Sequence, residues 1–130
     1  GSLYSTTLTF RINSILAADV EAIFNEIYTS PTMPPIKDVN GYAWRSALSG
    51  GSYSEHNYGT AIDLNYNENY CVYKSGQTLG SFYDPLNSVY SFSSTGTVVQ
   101  TFAKYGWLWG GNAWVSGTVD YMHFTYLGKQ

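Results

Sequence analysis

Two short segments, far apart in the chain, constrain its fold more than anything else in it. The first is Ser54-Glu55-His56-Asn57-Tyr58-Gly59-Thr60-Ala61-Ile62-Asp63-Leu64, and the second is Asp120-Tyr121-Met122-His123-Phe124. Each holds one of the two histidines, and each histidine has a carboxylate close by. A catalytic zinc ion takes three protein ligands from His, Asp, Glu or Cys and keeps a fourth position open for water. His56, Asp63 and His123 make such a set, one zinc per chain, if the fold brings the two segments together. Asp120 is then a spare carboxylate beside it.

The rest of the chain suits one small domain. Its 130 residues are enough for a proper core. Charged residues make up 12% and aromatics 18%, led by 13 Tyr and 4 Trp. That balance points to a sheet-containing, loop-rich domain with aromatic surface, since Tyr, Trp and Thr suit strands and Tyr tolerates half-exposure. A net charge of −3 with six basic residues and no basic run argues against nucleic acid as partner. No apolar run is long enough to span a membrane. Gly1-Ser2 resembles a cloning remnant, so the domain is expected over residues 3–130. Cys71 stands alone, which excludes an intrachain disulfide, and it reads as a half-buried strand thiol.

Periodicity sketches an α+β fold: a small antiparallel sheet, helices on one face and the metal site in a central cleft. Leu8, Phe10 and Ile12 alternate as a short strand. Asp19 reads as the cap of a helix carrying Val20, Ile23, Phe24 and Ile27, ended at Ser30-Pro31. A strand is expected over Val39 to Arg45, then a Gly/Ser loop from Ser49 to Ser54. Thr60 to Leu64 alternates with Ala61 and Asp63 on one face and Ile62 and Leu64 on the other. Residues 65–94 show turns at Ser75-Gly76 and Asp84-Pro85 but no clear elements. Ser94 or Thr95 caps a second helix that buries Val98, Val99, Phe102 and Ala103, with Gly106 in the left-handed position after it. A loop over Trp107 to Trp114 and a closing strand over Tyr121 to Tyr126 complete the chain.

The chemistry open to this donor set is metal-assisted hydrolysis, with a carboxylate near the ion as proton carrier. Asp120 fits that role, three residues before His123. Residues three apart on a strand face opposite ways, so Asp120 must lie in a turn or bulge before the strand, where Gly117-Thr118 permits one. The spacing from His56 to Asp63 excludes the helical H-E-x-x-H motif.

Ser54-x-His56-x-x-Gly59-x-Ala61-x-Asp63, Trp109-Gly110-Gly111-x-x-Trp114 and Asp120-x-Met122-His123-Phe124 together resemble the VanY-type D-alanyl-D-alanine carboxypeptidase family. The likeness runs from about Tyr42 to Tyr126. It implies a zinc peptidase, monomeric, acting on peptidoglycan stem peptides outside the bacterial cytoplasm, with a core shared with the hedgehog signalling domain. It maps His56, Asp63 and His123 to the zinc ligands and Asp120 to the catalytic base. Ser54 maps to a serine that braces the metal loop, and Arg45 to an arginine that steadies the oxyanion. Trp109 and Trp114 are expected to wall the substrate cleft. Thr125 stands where the pattern leads one to expect an acid or amide, so support for His123 must come from elsewhere. Cleavage of the terminal D-Ala–D-Ala bond is the leading expectation. An L-Ala–D-Glu endopeptidase, a non-catalytic wall-binding module with a structural zinc, and a hedgehog-like partner-binding domain are the alternatives.

Overall fold

The computed structural model describes residues 3–44, 53–112 and 117–128. Arg45 and Trp114 lie outside the described residues, as does most of the expected Gly/Ser loop; the strand expected over Val39 to Arg45 is only Val39–Asn40, and 41–44 are not strand.

A 3-10 turn, Ser14–Leu16, leads into helix α1, Ala17–Thr29. The cap is Asn13, whose side chain accepts the Ile15 N–H at 3.0 Å. Asp19 instead sits in the first turn of α1, where its charge favours the helix dipole. Val20, Ile23 and Ile27 are buried and Phe24 is partly so, as their spacing predicts. The Ser30 hydroxyl donates to the Ile27 carbonyl at 2.8 Å and closes the helix before Pro31.

Among the described residues seven short strands form two antiparallel sheets, where a single sheet was expected. They are β1 Val39–Asn40, β2 Ala61–Leu64, β3 Asn69–Val72, β4 Thr78–Tyr83, β5 Leu108–Trp109, β6 Val119–Asp120 and β7 His123–Thr125. The first sheet runs β1-β2-β7-β5 and the second β4-β3-β6. Between β4 and β5 lies helix α2, Thr97–Lys104. Its C-terminus is a Schellman motif: Gly106 N–H donates to Ala103 at 3.0 Å and Trp107 N–H to Phe102 at 3.0 Å, with φ of +87° at Gly106. The accompanying apolar contact is Phe102 against Trp107, edge to face.

Both helices and the first sheet share one core. Leu16, Val20, Ile23 and Ile27 meet Val98, Val99 and Phe102, and these cover Ile62 and Leu64 of β2 and Phe124 of β7. Phe102 stacks on Phe124 with centroids 4.2 Å apart. Alternation along β2 and β7 therefore turns Asp63 and His123 away from the core, as expected for the β2 faces.

Four local expectations are corrected. Leu8 to Ile12 forms no strand: Arg11 and Asn13 make single backbone bonds, to Tyr42 and Gly59, in place of a ladder. Phe10 and Ile12 still pack on the core, which accounts for the alternation. Ser94 and Thr95 do not cap α2, whose cap is Gly96, and Ala103 is exposed. The stretch after Trp107 is not wholly loop, because Leu108–Trp109 pairs with Phe124 and Thr125. The closing strand begins at His123, and Tyr121 and Met122 are a turn. Among the described residues no helix is long and apolar enough to cross a membrane.

Candidate metal centre

Register brings the first pair together. β2 and β7 are antiparallel with Asp63 directly opposite His123, a relation that leaves side chains within reach of each other. Nδ1 of His123 stands 3.0 Å from Oδ1 of Asp63.

His56 arrives from a 3-10 turn, Glu55–Tyr58, immediately before β2. Ser54 caps that turn: its hydroxyl accepts the His56 N–H at 3.3 Å. Gly59 ends it in the left-handed conformation, φ +65°, with its N–H on the Glu55 and His56 carbonyls. A side chain at 59 would be strained there, and its Cβ would stand 2.5 Å from the Asn13 nitrogen. The turn presents Nε2 of His56 to Oδ2 of Asp63 at 3.2 Å. On the other side of the ring, Nδ1 lies 2.7 Å from the Gly41 carbonyl. A carbonyl only accepts, so Nδ1 carries a proton and Nε2 is the nitrogen turned towards Asp63.

The donor atoms of His56, Asp63 and His123 all lie within 4.8 Å of one another. Ligands about 2.0–2.1 Å from a tetrahedral zinc stand about 3.3 Å apart, and the 3.0 and 3.2 Å contacts, one to each Asp63 oxygen, put the three side chains within reach of one such ion. Two imidazoles with one carboxylate are also the donor chemistry zinc accepts. Both histidines are buried, whereas the Asp63 side chain keeps 16% exposure, so this edge is the way in.

Electrostatics within the group are strongly coupled. Burial pushes the Asp63 carboxyl up, but hydrogen bonds and charge from His123 and His56 outweigh it and hold it far below the usual range. Burial draws His123 down, and the Asp63 hydrogen bond and charge, followed by the charges of Asp120 and Glu55, raise it overall. Asp120 is thus close enough to act on His123, yet it is not a member of the three-residue donor group.

Asp120 lies before the His123 strand, as the strand geometry demands, but on a strand of the other sheet. It ends β6, opposite Cys71 of β3, and its N–H donates to Gly110 at 3.0 Å. The Tyr121–Met122 turn then carries the chain across to β7. Burial first, then the Asp120 charge, pushes the Cys71 thiol up to about 12. Cys71 is fully buried, beyond the half-burial expected.

Trp109 is buried in the core, and its indole N–H donates to the Tyr121 carbonyl at 2.7 Å. That contact holds the turn between Asp120 and His123 and gives Trp109 a place behind the site. Glu55 carries no motif signal in the sequence, because no second histidine follows it at helical spacing. In the fold it is buried beside His56, and its carboxylate accepts bonds from the Thr125 hydroxyl and from Leu127 N–H, the latter at 2.9 Å. No local signal marks those partners, which lie far down the chain.

Comparison with curated proteins and with solved structures gives no match. A family model described as D-alanyl-D-alanine carboxypeptidase matches residues 48–126, more than half of the 130-residue chain. That match spans all three donors and Asp120, and by it the chain belongs to the VanY-like family of D-alanyl-D-alanine carboxypeptidases.

Proposed function

We propose that the chain is a zinc-dependent D,D-carboxypeptidase that hydrolyses the terminal D-Ala–D-Ala bond of peptidoglycan stem peptides. The observation that carries the reading is the convergence of His56 Nε2 and His123 Nδ1 on the two oxygens of Asp63. A zinc ion there would polarise the scissile carbonyl and acidify water.

The protein's own groups supply the rest. His56, held at Nδ1 by the Gly41 carbonyl, would present Nε2 to the ion without turning its ring. Asp120 takes the proton of the attacking water and passes it to the leaving amine. Cys71, opposite it in register and protonated at neutral pH, competes for neither metal nor proton. Arg45 steadies the carbonyl oxygen as charge develops on it. Such a substrate places the enzyme outside the cytoplasm or in the cell wall, where it works as a monomer.

Elemental analysis for zinc, paired with D-Ala release from a stem pentapeptide, tests the reading. One zinc per chain and stoichiometric D-Ala are expected. Asp120→Ala should keep the zinc and lose roughly 10²-fold or more of the rate. Cleavage of L-Ala–D-Glu in place of D-Ala release would make the enzyme an endopeptidase. Zinc without any hydrolysis would make the domain a binding module. Full turnover by zinc-loaded Asp120→Ala would remove Asp120 from the mechanism.

A further inference from the structure

Of the three donors, two are fixed by one feature. Asp63 and His123 face each other across the β2–β7 ladder, and its register sets their separation. His56 lies off the ladder, on the 3-10 turn, so something else must hold that turn against β7. The turn's own backbone bonds run elsewhere, Ala43 N–H to the His56 carbonyl at 3.0 Å and Asn13 N–H to Gly59 at 3.0 Å, and the backbone bond to the β7 segment, Tyr126 N–H to Thr60 at 3.0 Å, falls just beyond the turn.

Glu55 supplies the missing tie. It directly precedes His56 and is 2% exposed. One carboxylate oxygen accepts the hydroxyl of Thr125, two residues beyond His123 on β7, and the other accepts Leu127 N–H at 2.9 Å. The Thr125 hydroxyl is itself fixed by Gly128 N–H at 2.9 Å. At its other end, the Glu55 carbonyl accepts both the N–H and the hydroxyl of Thr60, each at 3.3 Å. Glu55 is therefore held at backbone and side chain, next to one histidine and bonded to a residue two beyond the other. The two imidazoles stand 5.1 Å apart, edge to face.

We propose that Glu55 is a positioning residue: through Thr125 it bolts the His56 turn to the His123 strand and so sets the metal affinity of the site. The proposal rests on the metal reading above and adds a determinant outside the donor set. Ligand distances tolerate about 0.2 Å of error, so a loosened turn weakens binding even when every ligand is present. A buried carboxylate is costly unless its oxygens are hydrogen-bonded, and both oxygens of Glu55 are.

The test is zinc affinity by chelator competition, the visible spectrum of the cobalt-substituted protein, and the melting temperature, each on the same preparations. Glu55→Ala should weaken zinc by about 10–100-fold and alter the cobalt bands. Glu55→Gln, whose amide can still bridge Leu127 and Thr125, should recover most of that loss. Thr125→Val should behave like Glu55→Ala, and Thr125→Ser like the parent. If Glu55→Ala does not fold, the Thr125 pair decides the matter alone. Folded Glu55→Ala or Thr125→Val with parental zinc affinity and cobalt spectrum, and only a lowered melting temperature, would reduce Glu55 to a structural clamp and overturn the proposal. A parent protein that binds no zinc would overturn the metal reading and this proposal with it.

Discussion

Three carboxylates surround the two histidines, and their settings divide the work among them. Asp63 lies between the imidazoles and is held ionised by them. Glu55 is spent on the Thr125 hydroxyl and Leu127 N–H. Asp120 stands one sheet away, close enough to act on His123 and opposite the buried Cys71. Arg45 carries the sharpest test of the chemistry at this scale. Arg45→Ala should lower kcat by about 10²–10³-fold at unchanged zinc content, because a donor aimed at developing charge acts in the transition state. Arg45→Lys should restore only part, since a point charge lacks the guanidinium's paired donors. An unaltered kcat with a lowered melting temperature would make Arg45 structural. His56, Asp63 and His123 were legible in sequence because histidine is so sparse here that two patterned occurrences stand out. Glu55 was not, because a lone glutamate beside a histidine carries no sign of a partner that lies far downstream.

Turns, more than strands, decide which side chains meet in this fold. Gly59 and Gly106 both end helical turns at positive φ, and they separate two costs of replacing glycine. A Cβ at 106 would meet nothing within 4 Å, so Gly106→Ala should cost only the left-handed penalty, about 1 kcal/mol. At 59 the added carbon runs into the Asn13 backbone, and Gly59→Ala should cost about 1–3 kcal/mol more. Denaturant melts of the two variants check the ranking; equal losses would mean the contact at 59 relaxes freely. Period-2 patterning found β2 and its faces because Ile62 and Leu64 point into the core. The same patterning failed at Leu8 to Ile12, since alternation reports which side chains are covered and not whether a ladder exists. Nor could it see that the run from Asp120 to Thr125 changes sheets at Tyr121–Met122. Residues 65–94 were opaque because their buried anchors are polar. Asn65 and Asn69 are fully enclosed, and their amides bond the backbone of Lys37, Pro35, Tyr90 and Phe92.

Across the whole molecule, stability should follow proton and metal in opposite senses. Without metal, the depressed Asp63 contributes fully above its unfolded pKa, near 4, and loses that contribution only as pH falls through its lower folded value. The raised His123 contributes fully below about 6.5 and loses it as pH climbs through its folded value. Chelated protein should therefore have its widest margin from this pair between about pH 4 and 6.5, and its melting temperature should decline from there towards pH 8. With zinc the trend should reverse over that upper range, because the ion takes the neutral imidazole. At a hundredfold excess over Kd the ion would add about 2.7 kcal/mol. Melting curves in chelator and in zinc at several pH values check this, and parallel trends would contradict it. The β2–β7 ladder has a consequence for the life of the chain before it is an enzyme. It joins segments separated by both the second sheet and α2, and closing a loop of that size costs roughly 3–4 kcal/mol of chain entropy before any contact rewards it. Asp63 and His123 are neighbours only once that closure is made. A ribosome-bound chain that has not yet released β7 has no ligand set to load, so the three donors can gather only after the β2–β7 pairing is made.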